Sequence, residues 1–535
     1  MNNTEVVFGI PGSGKTTYLL RRIDELAAAG YPARDIAYLT MTRNARSVAR
    51  KRMAEKYGAS KGDLQYFRTM HSICWELIGR PGKVSEKDIA KFCKARNVEY
   101  APKGRQDGET YDLLSNDVKT VGDLYFTVYD RMRLVGKVCM SDLNKQAFTH
   151  VWFKLCQGLG TEPHMLHAMH NTETAYAFLS EWENHKRLNG VVDFPDMLYL
   201  AYKQGENIPT RVLVVDEFQD LCPLMYEIYR VWKEGKEQVV IAGDDDQAIY
   251  SFMGASPRFL LMEKDAATAV TLLDKSYRCP EKVMQFAGNA IARNTERYAK
   301  TMRAVHAGGS VEELYLTTTT INRHIRPGVA TLILARTNSQ VKHISEDLIA
   351  HNVPFRYIDY PGIWSDKFIH IVNAVVKLTG GQALEDLTNE EFAALVEHLP
   401  SKMYLRKGAK KELKTVGAAG MDKRGAVGLG FFNLANKVEF AAAMKITDPQ
   451  KLVLSKWGYD NVASVPVRIG TIHKAKGDEA RDVFLYTYLP DKVFKSLAKK
   501  KTAEEERRVR YVGVTRASER TIFIRKNHPN DLKDF

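Results

Sequence analysis

Nine residues near the start of the chain restrict its fold more than any others: Gly9-Ile10-Pro11-Gly12-Ser13-Gly14-Lys15-Thr16-Thr17. Gly9-x-x-x-x-Gly14-Lys15-Thr16 is the pattern of a phosphate-binding loop. Its glycines let backbone N–H groups curl around an anion without Cβ clashes, and a helix that starts directly after it points its positive end at the same anion. The arrangement needs a strand before the loop and a helix after it. Here Glu5-Val6-Val7-Phe8 reads as a strand, about Thr17 to Ala29 as a helix, and Ile36–Leu39 as a second strand. That order specifies a parallel α/β domain. In such a loop Lys15 reaches the β- and γ-phosphates of ATP and Thr16 holds Mg²⁺. Gly9, Pro11, Gly12, Ser13, Gly14 and Thr17 complete the cradle.

The other half of a nucleotide site is legible at Val212-Leu213-Val214-Val215-Asp216-Glu217. An apolar strand there delivers two carboxylates at its C-terminal end, where open α/β sheets place their ligands. Asp216 is expected in the Mg²⁺ shell and Glu217 beside the attacking water. Val239–Ala242 is a similar strand that also ends in acidic residues. A second α/β series follows, with strands near Thr331–Ala335, Val467–Gly470 and Val483–Tyr486. Residues 81–190 read as mostly helical, with Phe178, Leu179 and Trp182 at helical spacing. Residues 371–461 read as an insertion that contains an aperiodic Gly- and Lys-rich section, Leu405–Gly430.

The length of 535 residues leaves room for several domains, and shares of 44% hydrophobic and 27% charged residues exclude a disordered chain. Six cysteines without a C-x-x-C pair speak against zinc and iron–sulfur sites and suit a reducing compartment. The start MNNTEVVFGI is not a signal peptide, and no apolar stretch is long enough for a bilayer. The expected location is the cytoplasm of a bacterium or phage-infected cell, with no membrane partner. The net charge of +14 fits a polyanionic partner, or a protein that is simply basic.

The motif series closely resembles superfamily 1 helicases of the UvrD/Rep/PcrA type. Asp216-Glu217-Phe218-Gln219-Asp220 matches the family's DEFQD box, and Asp193-Phe194-Pro195-Asp196-Met197 an element upstream of it. Gly243-Asp244-Asp245-Asp246-Gln247-Ala248-Ile249-Tyr250 matches motif III and Ser276-Tyr277-Arg278 motif IV. Ala335-Arg336-Thr337-Asn338-Ser339-Gln340 is similar to motif IVa. Thr471 to Glu479 matches motif V, and Glu504 to Arg508 with Tyr511 to Ala517 matches motif VI. The matches follow the family order over nearly the whole chain.

The resemblance implies an α/β fold of two RecA-like P-loop NTPase domains with parallel sheets, each carrying an inserted subdomain. The expected division is 1–80 with 191–275 (domain 1A), 81–190 (1B), 276–370 with 462–535 (2A) and 371–461 (a reduced 2B). It also implies that Gln247 senses the γ-phosphate and that Arg278 and Arg516 reach it from the second domain as arginine fingers. Tyr277 is expected to stack on adenine, and Gly477 and Glu479 to contact the nucleotide. Thr40-Met41-Thr42-Arg43-Asn44-Ala45 resembles motif Ia and Thr69-Met70-His71-Ser72 motif Ib. Through them Met41, Thr42, Arg43, Asn44, Thr69 and His71 are expected on single-stranded DNA, along with Tyr250, Phe252, Arg336 and His473. Aromatic stacking there suits any sequence, because every base has a π-face.

The sequence departs from the family in several places. The family's adenine-reading glutamine precedes the P-loop, whereas here the first strand starts almost at Met1. Met41 stands where the family commonly has Phe, and Met253 where it commonly has Arg. The family's strand-separating hairpin follows motif VI, after which this chain soon ends. Weak unwinding of long duplexes is therefore expected without a partner or self-assembly, and the clusters Lys410-Lys411 and Lys499-Lys500-Lys501 are candidates to grip duplex phosphates. The readings left open are an ATP-driven 3′-to-5′ helicase or translocase on single-stranded DNA and its junctions, and an ATP-gated DNA-binding remodeller that strips proteins. A P-loop enzyme acting on a small molecule fits neither the motif series nor the charge.

Overall fold

A computed structural model of the chain describes residues 3–40, 43–101, 118, 120–156, 166–315, 318–358, 366–382, 386–399, 407–408, 410, 444–463, 465–526 and 528–532. The contacts divide it into two units: Met1–Gly309 with Pro490–Thr515 and Phe535, and Ser310–Leu489 with Arg516–Asp534.

Apolar runs without polar alternation become strands buried on both faces. Val212–Val215 is buried at every residue, and Asn3–Gly9 is buried from Val6 to Gly9. They belong to a six-stranded sheet in the order Phe67–Arg68, Ile36–Leu39, Val212–Val215, Gln238–Gly243, Asn3–Gly9, Ala269–Leu273. Every pairing in it is parallel. Side chains therefore divide by period two. Val7, Tyr38, Val212, Val214 and Val240 face the P-loop helix Lys15–Ala28 through Leu19, Leu20 and Ile23. Val6, Phe8, Leu39, Leu213 and Val215 join the opposite core.

That second core runs without a break into the helical region. Helices Glu86–Lys94, Val121–Leu134, Lys145–Cys156, Leu166–His170 and Thr172–Leu188 agree with the helical reading of 81–190. Phe178, Leu179 and Trp182 are buried there, with Phe92 and Phe126 edge-on to Trp182 at 4.8 and 5.3 Å. Gly82–Lys83 pairs in parallel with Val191–Val192, which clamps the two ends of the region together. All six cysteines are buried and none forms a disulfide.

The second unit repeats the plan. Its six strands run Ser310–Tyr315, Ala517–Arg525, Ala480–Tyr486, Thr331–Ala335, Val467–Thr471, Arg356–Tyr357, all in parallel. Between Arg356–Tyr357 and Val467–Thr471 the described helices are Asp366–Thr379, Asn389–His398, Asp448–Trp457 and Tyr459–Ala463. Ile371, Val375, Phe392, Leu395 and Leu399 give this part a core of its own. Most of Leu405–Gly430, with Lys411, lies outside the described residues. Among the described residues no helix is long and apolar enough to cross a membrane.

Candidate nucleotide and nucleic-acid site

Parallel strands end at one edge, so three neighbouring strands of the first sheet deliver their following residues to the same place. Asn3–Gly9 delivers the P-loop, Val212–Val215 delivers Asp216 and Glu217, and Gln238–Gly243 delivers Asp244 to Gln247. Gly14 takes φ +79° to start the helix at Lys15. The Lys15 ammonium donates to the Gly9 carbonyl at 3.1 Å, and the Ser13 hydroxyl is buried without a hydrogen-bond partner. Thr16 Oγ1 donates to Asp216 Oδ2 at 2.8 Å, and the buried Tyr38 hydroxyl donates to the same oxygen at 3.3 Å. Burial, and then the charge of Glu217, raise the Asp216 carboxyl to about 6. A buried carboxylate short of positive charge, with a hydroxyl against it and an orphaned serine in the loop, is a donor set that fits Mg²⁺ and a phosphate chain. Thr16 and Asp216 would hold the metal, which would neutralise phosphate charge when bound.

Glu217 sits in the left-handed region at φ +54°, and its N–H donates to Asp216 Oδ1 at 2.9 Å. The sequence reading assigned no role to Gln219, which joins two of the motifs. Its Nε2 donates to Glu217 Oε2 at 2.5 Å, while its Oε1 accepts from the Asp244 N–H at 2.9 Å. Gly243 allows this, since a Cβ there would lie 2.6 Å from Gln219 Oε1. Gln247 Nε2 donates to Asp244 Oδ2 at 2.7 Å. Polar contacts thus run from Glu217 through Gln219 and Asp244 to Gln247.

Asp244, Asp245 and Asp246 cluster closely enough to suggest a metal site. Two cations of the protein itself already occupy the cluster. Lys300, fully buried, lies 3.1, 2.5 and 2.8 Å from the three carboxylates, and Arg297 donates twice to Asp246 at 2.9 and 2.6 Å. Neither cation belongs to a recognised motif, so the sequence reading passed over both.

Motif IV lies against the P-loop within the first unit. Tyr277 N–H donates to the Gly12 carbonyl at 2.9 Å and Ser276 Oγ to the Pro11 carbonyl at 2.7 Å. Gly12, at φ +70°, is pressed so near Arg278 that a Cβ would lie 2.5 Å from that residue's Cβ. Tyr277 is 60% exposed.

The nucleic-acid candidates are spread over both units. Met41 and Thr42 lie outside the described residues, as do the side chains of Arg43 and Asn44, which open the helix Arg43–Tyr57. Thr69 caps Met70–Leu77, its hydroxyl accepting from the Ser72 N–H at 3.4 Å. Burial pushes His71 down to about 4, so its imidazole is neutral near pH 7, and its ring lies 5.8 Å from that of Phe194. Tyr250 and Phe252 follow Gln247 on the same loop, half-buried and edge-to-face at 5.9 Å.

In the second unit Arg336 and His473 follow adjacent parallel strands and share the carboxyl edge of the sheet, where Ile472 N–H donates to the Ala335 carbonyl at 3.0 Å. Gly477, Glu479 and Arg516 precede strands and lie at the opposite edge. Motif V, leaving one strand and entering another parallel to it, has to cross between those edges. Gly477 has φ +93°, and Arg516 Nη1 donates to the Asp478 carbonyl at 3.2 Å.

The upstream element at Asp193 and Asp196 holds helices together. The two carboxylates form the capping box of Phe194–Gln204. They also receive Arg133 at 2.5 Å each, and Lys186 at 3.2 and 2.5 Å, both cations coming from the helical region.

Fold and site together define a P-loop NTPase built on two parallel RecA-like sheets. The family model for the UvrD/REP helicase N-terminal domain matches residues 1–268, and that for the UvrD-like helicase C-terminal domain matches residues 451–528. The chain belongs to the UvrD/REP helicase family. It is 24% identical over 434 residues to YjcD of Bacillus subtilis (strain 168), covering 76% of this chain and 52% of that protein. It is 23% identical over 375 residues to the ATP-dependent DNA helicase PcrA of Staphylococcus aureus (strain Mu50), covering 65% of this chain and 48% of that protein. The chain therefore spans about half the length of these curated relatives. The crystal structure of arterivirus nonstructural protein 10 (helicase) aligns over 98% of this chain and 59% of its own at 12% identity, with a TM-score of 0.33 that carries no argument.

Proposed function

We propose that the chain is an ATP-driven DNA motor that moves 3′ to 5′ along single-stranded DNA and acts at its junctions with duplex. The observation that carries the reading is the line of contacts from Thr16 and Asp216 through Glu217, Gln219, Asp244 and Gln247 to the loop that bears Tyr250 and Phe252. A base stacked on those aromatics and a phosphate beside Gln247 would act on one short segment. The names of relatives such as PcrA support ATP and DNA as substrates, and the net charge of +14 supports a polyanionic partner.

In the proposed cycle Lys15 leaves the Gly9 carbonyl for the phosphates. Glu217, held by Gln219, orients the attacking water and takes its proton. The Gln247 amide reads the γ-phosphate, and Arg278 and Arg516 stabilise charge as it leaves. The role of Arg516 rests on its motif, as do the 1A, 1B, 2A and 2B bounds, the direction of movement and the location in the cytoplasm. The test is ATP hydrolysis with and without single-stranded DNA, together with unwinding of duplexes that carry a 3′ or a 5′ tail. Strong stimulation and preference for the 3′ tail are expected. Hydrolysis indifferent to DNA would overturn the motor, and preference for the 5′ tail would overturn the polarity.

A further inference from the structure

Lys300 pairs with three aspartates, but its contacts do more than offset charge. It holds Oδ1 of Asp244 at 3.1 Å, while Oδ2 of the same carboxylate accepts from Gln247 at 2.7 Å. Oδ1 also accepts from the Asp246 N–H at 3.2 Å, so one carboxylate has the lysine and a backbone amide on one oxygen and the amide of Gln247 on the other. A carboxylate is planar, so fixing one oxygen fixes the direction in which the other accepts. The Asp244 N–H is held in turn by Gln219, which also holds Glu217.

The segment that brings Lys300 is itself anchored on several sides. It follows the helix Glu281–Ile291, which starts just after Arg278. Arg297 grips Asp246, and the Tyr298 N–H donates to Asp245 at 2.6 Å. The motif VI helix Lys500–Val514 holds the segment from outside: Asn294 Nδ2 donates to the Glu504 carbonyl at 2.9 Å, and Arg508 Nη2 donates to the Glu296 carbonyl at 2.6 Å. Residues 294–300 are therefore where motifs III and VI meet.

We propose that Lys300 is a positioning residue for ATP hydrolysis, which by fixing the Asp244 carboxylate keeps the Gln247 amide turned to the γ-phosphate. The proposal rests on the motor reading above. Lys300 touches no substrate and acts only through Asp244. Removing it changes the turnover of bound ATP more than ATP binding, which depends on the P-loop.

The test uses the full chain. Lys300→Met alone leaves buried carboxylates uncompensated, so it is paired with Asp245→Asn, which removes one cation and one anion together. In the folded double variant kcat for DNA-stimulated ATP hydrolysis should fall on the order of tenfold, with KM for ATP within about twofold of wild type. Gln247→Ala, which slows the parent, should cost little more in this background, because both changes remove one device. A folded double variant with wild-type kcat overturns the proposal, and so does a full multiplicative loss on adding Gln247→Ala. Should the double variant not fold, Asp244→Asn decides, since it keeps the shape and removes the charge that Lys300 holds. The same fall in kcat with unchanged KM supports the proposal, and wild-type kcat overturns it. Wild type and Lys15→Ala are run in parallel. Absence of hydrolysis in wild type defeats the motor reading itself, whereas active wild type beside equally active Lys300 variants defeats only this inference.

Discussion

Replacing Gln219 by Ala would test whether hydrolysis depends on a bridge between two motifs. The side chain is fully buried and makes two hydrogen bonds, to the Glu217 carboxylate and from the Asp244 N–H. Losing a bond to a charged group costs about 1.5–3 kcal/mol, and leaving the Asp244 N–H buried without a partner costs about 1–3 kcal/mol. A total of about 2.5–6 kcal/mol should lower the melting temperature by roughly 4–8 °C, at about 1.4 °C per kcal/mol for a unit of more than 300 residues. Glu217 also loses the contact that aims its carboxylate, and displacement of a reacting group by about 1 Å can cost on the order of 10²-fold in rate. Gln219→Glu separates the two ends. It keeps an acceptor for the Asp244 N–H but buries a second carboxylate against Glu217, so kcat should fall and the melting temperature should fall at least as far as in Gln219→Ala. Steady-state ATP hydrolysis at saturating single-stranded DNA and a thermal melt measure both quantities. A folded Gln219→Ala protein with wild-type kcat would refute the idea that this bridge holds the catalytic glutamate.

Lys15→Ala and Glu217→Gln should each abolish turnover, and Glu217→Gln should still bind ATP in a filter or fluorescence assay, because only the water-orienting group is lost; normal turnover in either contradicts the site. Arg516→Ala should lower DNA-stimulated hydrolysis by about 10³-fold or more if it serves as an arginine finger, and an unchanged rate would remove that role. Burial first, and then the charges of Asp196 and Asp193, raise Glu183 to about 7 despite the opposing charge of Lys186. The folded state then binds a proton that the unfolded state has released between about pH 4.5 and 7, so this group's contribution to stability falls as pH rises through that window. Urea midpoints of wild type relative to Glu183→Gln should decline from pH 5 to pH 8, and parallel curves would show that the shift is absent.

The parts of the fold that could be read from the sequence are those in which one local pattern suffices. The strands before Gly9, Asp216 and Asp244 are unbroken apolar runs because both faces of a parallel sheet are covered, and the P-loop fixes its own flanks. Strands such as Ala269–Leu273, Ser310–Tyr315 and Ala517–Arg525 were missed. The first two are partly or largely exposed, and the third opens with Ser518, Glu519 and Arg520, so none shows the same run. The candidate carboxylates Asp216 and Glu217 could be picked out because phosphate chemistry restricts residue type and spacing. Lys300 and Arg297 could not, since they lie more than fifty positions after the aspartates they pair with and only the tertiary fold brings them there.

The same distinction accounts for the two buried ionic clusters of the first unit. Burying charge is a poor route to stability, since desolvation offsets most of the attraction. Its useful property is that each cation accepts few positions. Arg133 and Lys186, from separate helices, both bind the Asp193–Asp196 capping box, which ties two helices of the helical region to the helix Phe194–Gln204. Lys300 and Arg297 do likewise for Asp244–Asp246 beside Gln247. Apolar side chains of similar size would pack in either place, yet would tolerate sliding by a fraction of an ångström. The proposed motor, which would couple a base-stacking loop to phosphate chemistry, needs that tolerance removed, because its hydrolysis would depend on where Glu217 and Gln247 point. The charges are therefore best understood as fixing geometry at some cost in stability, which is why charge-balanced variants should fold well and still turn over slowly.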